Sequence, residues 1–158
     1  MLRMFFVLLI AVLVLAGCGG SQAAPAVAPP PQSTLFEKGS NERINKLVDD
    51  WESAVPTAMK DQKIKPETID QKVYQSSASL QEISDFYKNL TAQGWREAHK
   101  MPGINDGVFL MGYESGSTTL VINAVDASQL GGRGTLIYTV EGATQAQPTQ
   151  SSGTPATH

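Results

Sequence analysis

Thiol and imidazole groups are nearly absent from this 158-residue chain, which contains one cysteine, Cys18, and two histidines, His99 and His158. One cysteine cannot close a disulfide within the chain, and a zinc site needs three or four cysteine, histidine or carboxylate ligands. A Ser-His-acid triad needs a histidine, and His99 lies among charged residues that are typical of a solvated surface segment. The sequence therefore predicts a non-enzymatic protein without a metal or another cofactor.

Positive charge is also in short supply. The chain has 12 lysines and arginines against 15 aspartates and glutamates, a formal net charge of −3. Proteins that bind nucleic acid concentrate positive charge on one face, because the phosphate backbone supplies most of the affinity. We therefore expect no nucleic-acid partner, and no strong electrostatic attraction to anionic lipid headgroups.

Long hydrophobic runs are absent except at the N-terminus, where Met4 to Ala16 carry no charged or polar side chain. A membrane-spanning helix needs about 17–25 apolar residues, which is more than this run provides. The hydrophobic region of a secretory signal peptide has about 7–15 residues and follows a short basic segment, here supplied by Arg3. The pattern therefore predicts a signal peptide rather than a membrane span.

The four residues that end this run are Leu15, Ala16, Gly17 and Cys18. They resemble the lipobox of bacterial lipoproteins: leucine, a small residue, glycine or alanine, then cysteine. The resemblance implies that diacylglycerol alkylates the Cys18 thiol, with acyl chains such as palmitate, and that the Gly17–Cys18 bond is cleaved. The membrane partner is then reached through acylated Cys18. The predicted location is extracytoplasmic, on a bacterial cell membrane or on an outer membrane if there is one.

Composition divides the rest of the chain into three parts. Residues 18–39 are rich in proline, alanine and glycine, which predicts a lipid-anchored flexible linker after the signal peptide of residues 1–17. Residues 40–141 have the size and apolar content of a single domain. Residues 142–158 are small and polar, which predicts a disordered tail.

Two helices are predicted within the domain. The first has an apolar stripe at helical spacing, is capped by Ser40 or Asn41, and is ended or kinked by Pro56. Its stripe consists of Ile44, Leu47, Val48, Trp51 and Val55. The second begins with a capping box, Ser79 and Glu82, and ends at Gly94, because glycine readily adopts the left-handed conformation that commonly terminates a helix.

Alternating and β-branched segments predict about five strands, at residues 69–76, 95–100, 108–114, 118–126 and 135–141. Glycine-containing turns between the last of these predict an antiparallel meander. The predicted fold class is α+β, a mostly antiparallel sheet of about five strands with one or two helices packed on one face. The segment "VYQSSASLQEISDFYKNLTAQGW" with the strands after it, residues 72–141, is similar to a small C-terminal domain of uncharacterised envelope lipoproteins. That resemblance implies a fold and no catalytic residue.

Three further segments contain residue types that also occur in binding sites. In the third of these strands, Phe109, Met111 and Tyr113 share one face. They form either an exposed partner surface or the core face, with Val108 and Leu110 half-exposed opposite. "NDG", residues 105–107, suits a tight turn better than a calcium loop. "GGRG", residues 131–134, precedes a strand, unlike phosphate loops, which open a helix.

The leading functional hypothesis is a lipid-anchored module that binds another protein of the envelope. The alternative is an envelope lipoprotein that binds a small ligand.

Overall fold

The computed structural model describes residues 23–61, 63–98 and 104–145. Within these ranges the chain forms seven strands, two α-helices and three short 3₁₀ helices. The helices are α1 (Glu42–Asp61) and α2 (Leu80–Lys88). The strands are β1 (Ser33–Leu35), β2 (Asp70–Ser76), β3 (Arg96–Glu97), β4 (Ile104–Asn105), β5 (Val108–Ser115), β6 (Thr118–Asp126) and β7 (Thr135–Ala143).

The strands make one antiparallel sheet in the order β1-β2-β7-β6-β5-β3, and β4 pairs with β5 off this path. Strands β5, β6 and β7 form the predicted meander, and β2 returns to pair with β7, with Val73 opposite Tyr138. The α+β class is confirmed. The described sheet has two more strands than expected, because β1 and β4 are only three and two residues long and carry no alternating pattern of their own.

The two helices pack on opposite faces of the sheet, so the prediction that they share one face is wrong. The period of two along a strand separates the faces: in β7, Ile137 packs with the α2 cluster, while Leu136 and Tyr138 pack with the α1 clusters. Strands β6 and β7 carry apolar residues on both faces, so each face needs its own covering helix. The α2 core contains Ile83, Tyr87, Leu90, Trp95, Phe109, Met111, Tyr113, Leu120 and Ile122.

Helix α2 begins as predicted, but its α-helical part ends at Lys88, and a 3₁₀ helix, Asn89–Gln93, continues to the predicted stop at Gly94. The Glu82 amide donates to the Ser79 hydroxyl at 3.2 Å, and the Glu82 carboxylate accepts from the Ser79 amide at 2.8 Å. After a 3₁₀ turn, Gly94 adopts the left-handed conformation with φ +96°. The Trp95 amide then bonds back to the Leu90 carbonyl at 3.1 Å, which places both side chains in the same core.

Helix α1 continues through Pro56 to Asp61, so of the two predicted effects the proline does not end the helix. Asn41 caps its start, with Oδ1 accepting from the amides of Arg43 and Ile44 at 3.1 and 3.2 Å. Pro56 cannot donate to the carbonyl of Glu52, but both residues lie on the exposed side of the helix, where water can replace the missing donor.

The sheet begins inside the segment for which composition predicts a flexible linker. Strand β1 pairs with β2, the Phe36 amide bonds to the Val73 carbonyl at 2.9 Å, and Pro30 is buried. Ahead of it, Ala24 and Val27 pack against the α2 core. From Ala24 onward this part of the chain lies on the folded body.

Candidate binding cleft

The predicted partner surface lies in the core. Phe109, Met111 and Tyr113 are 0%, 5% and 0% exposed and pack in the cluster beneath α2. Val108, which is 39% exposed, and half-buried Leu110 occupy the opposite face. The second of the two registers considered from the sequence is therefore the observed one, and the partner-surface interpretation does not fit this burial.

The predicted lipid attachment and cleavage residues, Cys18 and Gly17, lie outside the described residues, and so does His99. Lipidation stays a prediction. In the described ranges, no three histidine, cysteine or acidic side chains come together as metal ligands would, and no helix has the length and apolarity to cross a membrane.

The two glycine-containing segments form connections between strands. Asp106 and Gly107 have φ values of +47° and +75°, the pair of positive angles that a type I′ turn needs, between β4 and β5. Residues 131–134 lead into β7, and Gly134 is left-handed with φ +70°. Both observations agree with the turn interpretations.

A cleft of about 630 Å³ opens beside the C-terminal half of α1, on the α1 face of the sheet. Its walls come from α1, from the connection to β2, from the start of β2 and from the end of the described chain. The lining residues are Val55, Pro56, Lys60, Lys63, Ile64, Pro66, Ile69, Gln71 and Gln145.

The apolar wall of the cleft continues the core beneath α1. Val55 and Ile64 are 5% and 2% exposed and belong to one cluster with Tyr138 and Val140, against which Ile69 also packs. A bridge between Ile64 and Thr144 fixes the connection to the end of β7. This wall is therefore held by the sheet rather than by a loose loop.

One side of the cleft carries the polar side chain of Gln71, which is hydrogen-bonded to a stacked aromatic pair. The Tyr138 hydroxyl donates a hydrogen bond to Oε1 of Gln71, and burial raises the pKa of Tyr138 to about 12. The Tyr138 ring stacks on Trp51, with centroids 5.4 Å apart and planes 7° from parallel. The Gln71 amide group thus has one fixed partner and still lines the cleft.

Two lysines supply the charge at the cleft. Lys60 and Lys63 line it, and neither belongs to an ion pair with another described side chain. Lys63 has φ +57°. Its amide donates a hydrogen bond to the Lys60 carbonyl at 3.1 Å, and its carbonyl accepts one from the Gln145 amide at 2.9 Å. The backbone of Lys63 is therefore bonded on both sides in a left-handed conformation.

Sequence reasoning missed this cleft. The segment "KDQKIKPETI", residues 60–69, has the composition of a polar connection, and its lysines are typical of a solvated loop. The one usable signal was the pair Ile64 and Ile69, two large aliphatic residues in an otherwise polar stretch. Their partners in β7 lie about 75 residues away in sequence, and local patterns do not show such contacts.

A scan against protein-family models, a search of curated proteins and a search of solved structures each found no match to this chain.

Proposed function

We propose that this protein is a lipid-anchored, extracytoplasmic component of the bacterial envelope that binds a small ligand in the cleft between α1 and the start of β2. The cleft is the observation that carries the proposal. Its volume of about 630 Å³ lies within the range of small-molecule sites, roughly 300–1,000 Å³, and its lining combines an apolar wall with a few polar groups. Of the two hypotheses drawn from the sequence, this geometry favours the ligand-binding one.

The anchor rests on the lipobox sequence Leu15 to Cys18. Two or more acyl chains on one cysteine bind a membrane far more durably than the single chain that gives only reversible attachment. Between Cys18 and Ala24, which packs on the body, the chain can span at most about 20 Å. Ligand capture would therefore take place close to the membrane surface.

The anchor is tested on the full chain expressed in bacteria. Mass spectrometry of the mature N-terminal peptide should show a diacylglyceryl adduct on Cys18 and the loss of residues 1–17. Cys18→Ala should remove both changes. An unmodified chain that retains Met1 contradicts the proposed location.

Ligand binding is tested by native mass spectrometry after incubation with a total small-molecule and lipid extract of the same cells. Gln71→Trp places an indole in the cleft, and Gln75→Trp makes the same change on the same face of β2, away from it. The wild type and Gln75→Trp should retain an additional mass that Gln71→Trp lacks. Equal retention by both variants, or none by the wild type, contradicts the cleft as a ligand site.

A protein partner is the second candidate, favoured by one observation. Leu35 is 64% exposed on β1, which is an edge strand of the sheet. Edge strands offer unpaired backbone groups to a strand from another chain. A photo-crosslinking residue at Leu35 in intact cells should then give a discrete adduct, and one at exposed Glu52 should not. Identical products at both positions contradict a specific interface.

A further inference from the structure

We infer that the ligand of the cleft is an amphiphile, an aliphatic chain that carries one anionic head group, either a carboxylate or a phosphate. The chain would lie along the apolar wall, and the head group would bind between the ammonium groups of Lys60 and Lys63. This inference rests on the proposed function and deepens it by naming the class of ligand.

The wall suits an aliphatic chain better than a polar metabolite. Val55, Ile64 and Ile69 contribute branched aliphatic side chains, and Pro56 and Pro66 contribute rings without an N–H donor. A sugar or nucleotide against this wall would lose hydrogen bonds to water without replacing them, which is unfavourable. An alkyl chain loses nothing there and gains about 0.8 kcal/mol for each methylene removed from water.

The charged side chains among the described residues that line the cleft are all positive. Its described lining includes Lys60 and Lys63 and no aspartate or glutamate. Elsewhere among the described residues, Lys38, Lys46, Lys72 and Lys88 each have an acidic partner, whereas Lys65 has none among the described side chains. An anion at the cleft would receive charge-assisted hydrogen bonds, which are stronger than neutral ones. A cationic head group would meet only repulsion.

The backbone at Lys63 gives a second argument. Gly94 and Gly131 provide the left-handed residues that follow two 3₁₀ segments, with φ +96° and +78°. After α1 the corresponding conformation falls on Lys63, with φ +57°. Glycine avoids the steric strain that a side chain suffers there. A lysine at this position therefore costs stability, and contact with an anion in the cleft would be a functional reason for a side chain there.

The test uses the mature chain, residues 18–158, with Cys18→Ala to prevent acylation, which keeps every described residue. Isothermal titration calorimetry compares dodecanoate, dodecyl phosphate and dodecyltrimethylammonium, which share one alkyl chain and differ in head group. The double variant Lys60→Gln/Lys63→Gln removes the proposed head-group contacts. Lys46→Gln/Lys88→Gln removes the same charge from exposed lysines paired with Asp50 and Asp85.

We expect at least one of the two anionic probes to bind the wild type about tenfold more tightly than the cationic probe, and the double variant to bind it about tenfold more weakly. The control pair should stay within about twofold of the wild type. Preference between carboxylate and phosphate identifies the head group. Equal affinity for all three probes, or equal losses in both double variants, overturns the inference.

Two further variants separate the possible failures. If Gln71→Trp abolishes binding but the lysine variants bind as the wild type does, the head-group assignment fails and the ligand site stands. If Gln71→Trp binds every probe as the wild type does, both proposals fail. Lys63→Gly should raise the unfolding midpoint, because it relieves the backbone, and should weaken binding of the anionic probe. Unchanged binding in Lys63→Gly shows that Lys63 has no contact with the ligand.

Discussion

The hydroxyl of Ser76 donates a hydrogen bond to the carbonyl oxygen of Pro31 at 2.6 Å and accepts one from the amide of Ala78 at 3.0 Å. Ser76 is 2% exposed and ends β2. One buried side chain therefore joins the N-terminal segment, the end of a strand and the entry to α2.

Ser76→Ala should lower the free energy of unfolding by about 2 kcal/mol. The substitution leaves the Ala78 amide and the Pro31 carbonyl without this partner, and an unsatisfied buried polar group costs about 1–3 kcal/mol. The matched control is Ser77→Ala, because that hydroxyl bonds only to exposed Gln32 at 2.9 Å. Urea unfolding measures both variants. Equal losses would show that the Ser76 bridge contributes no more than a surface contact.

The elements that could be predicted from the sequence are those whose determinants lie close together in the chain. The capping box of Ser79 and Glu82 predicted the start of α2, and Gly94 predicted the left-handed residue that ends the 3₁₀ helix after it. The alternation in β2 predicted which side chains share a face, as Val73 and Tyr74 confirm by packing in different clusters.

The features that were missed depend on contacts between distant segments. Strand β1 is three residues long, follows three prolines and gains its order from β2, about 40 residues later. The placement of α1 and α2 on opposite faces follows from the partners of β7, which a single sequence does not reveal. The cleft has the same origin, because Ile64 contacts the sheet through residues far along the chain.

Ser79→Ala should lower the free energy of unfolding by about 1 kcal/mol at pH 7, because the first turn of α2 loses its cap. Hydrogen bonds from Ser79 lower the pKa of Glu82 below its usual value of 4.5. The contribution of this carboxylate is therefore present above that value and is lost as the pH falls through the lower folded-state pKa. Chemical unfolding at pH 7 and pH 3 should show the difference between variant and wild type shrinking in acid. A difference that grows in acid contradicts the assignment.

Gly134→Ala should lower the free energy of unfolding by about 3 kcal/mol. Gly134 has φ +70°, and a β-carbon there would collide with the backbone carbonyl oxygen of Ser76, which cannot move without displacing the end of β2. Gly39→Ala is the control, since a β-carbon at Gly39 meets nothing within 4 Å. Thermal unfolding of both variants measures the effect. A loss at Gly39 as large as that at Gly134 would refute the steric argument.

We expect Tyr113 to make the fold sensitive to alkaline pH. Burial, with a smaller contribution from Glu97, raises the pKa of Tyr113 from 10.0 to about 12. Between pH 10 and pH 12 the unfolded chain therefore binds fewer protons at this position than the folded one, so stability falls as the pH rises. Its hydroxyl has no hydrogen-bond partner among the described residues. Tyr113→Phe should therefore unfold no more easily than the wild type at pH 8 and should lose less stability between pH 8 and pH 11, as measured by urea titration. A steeper alkaline loss in Tyr113→Phe would mean that other groups set the alkaline limit.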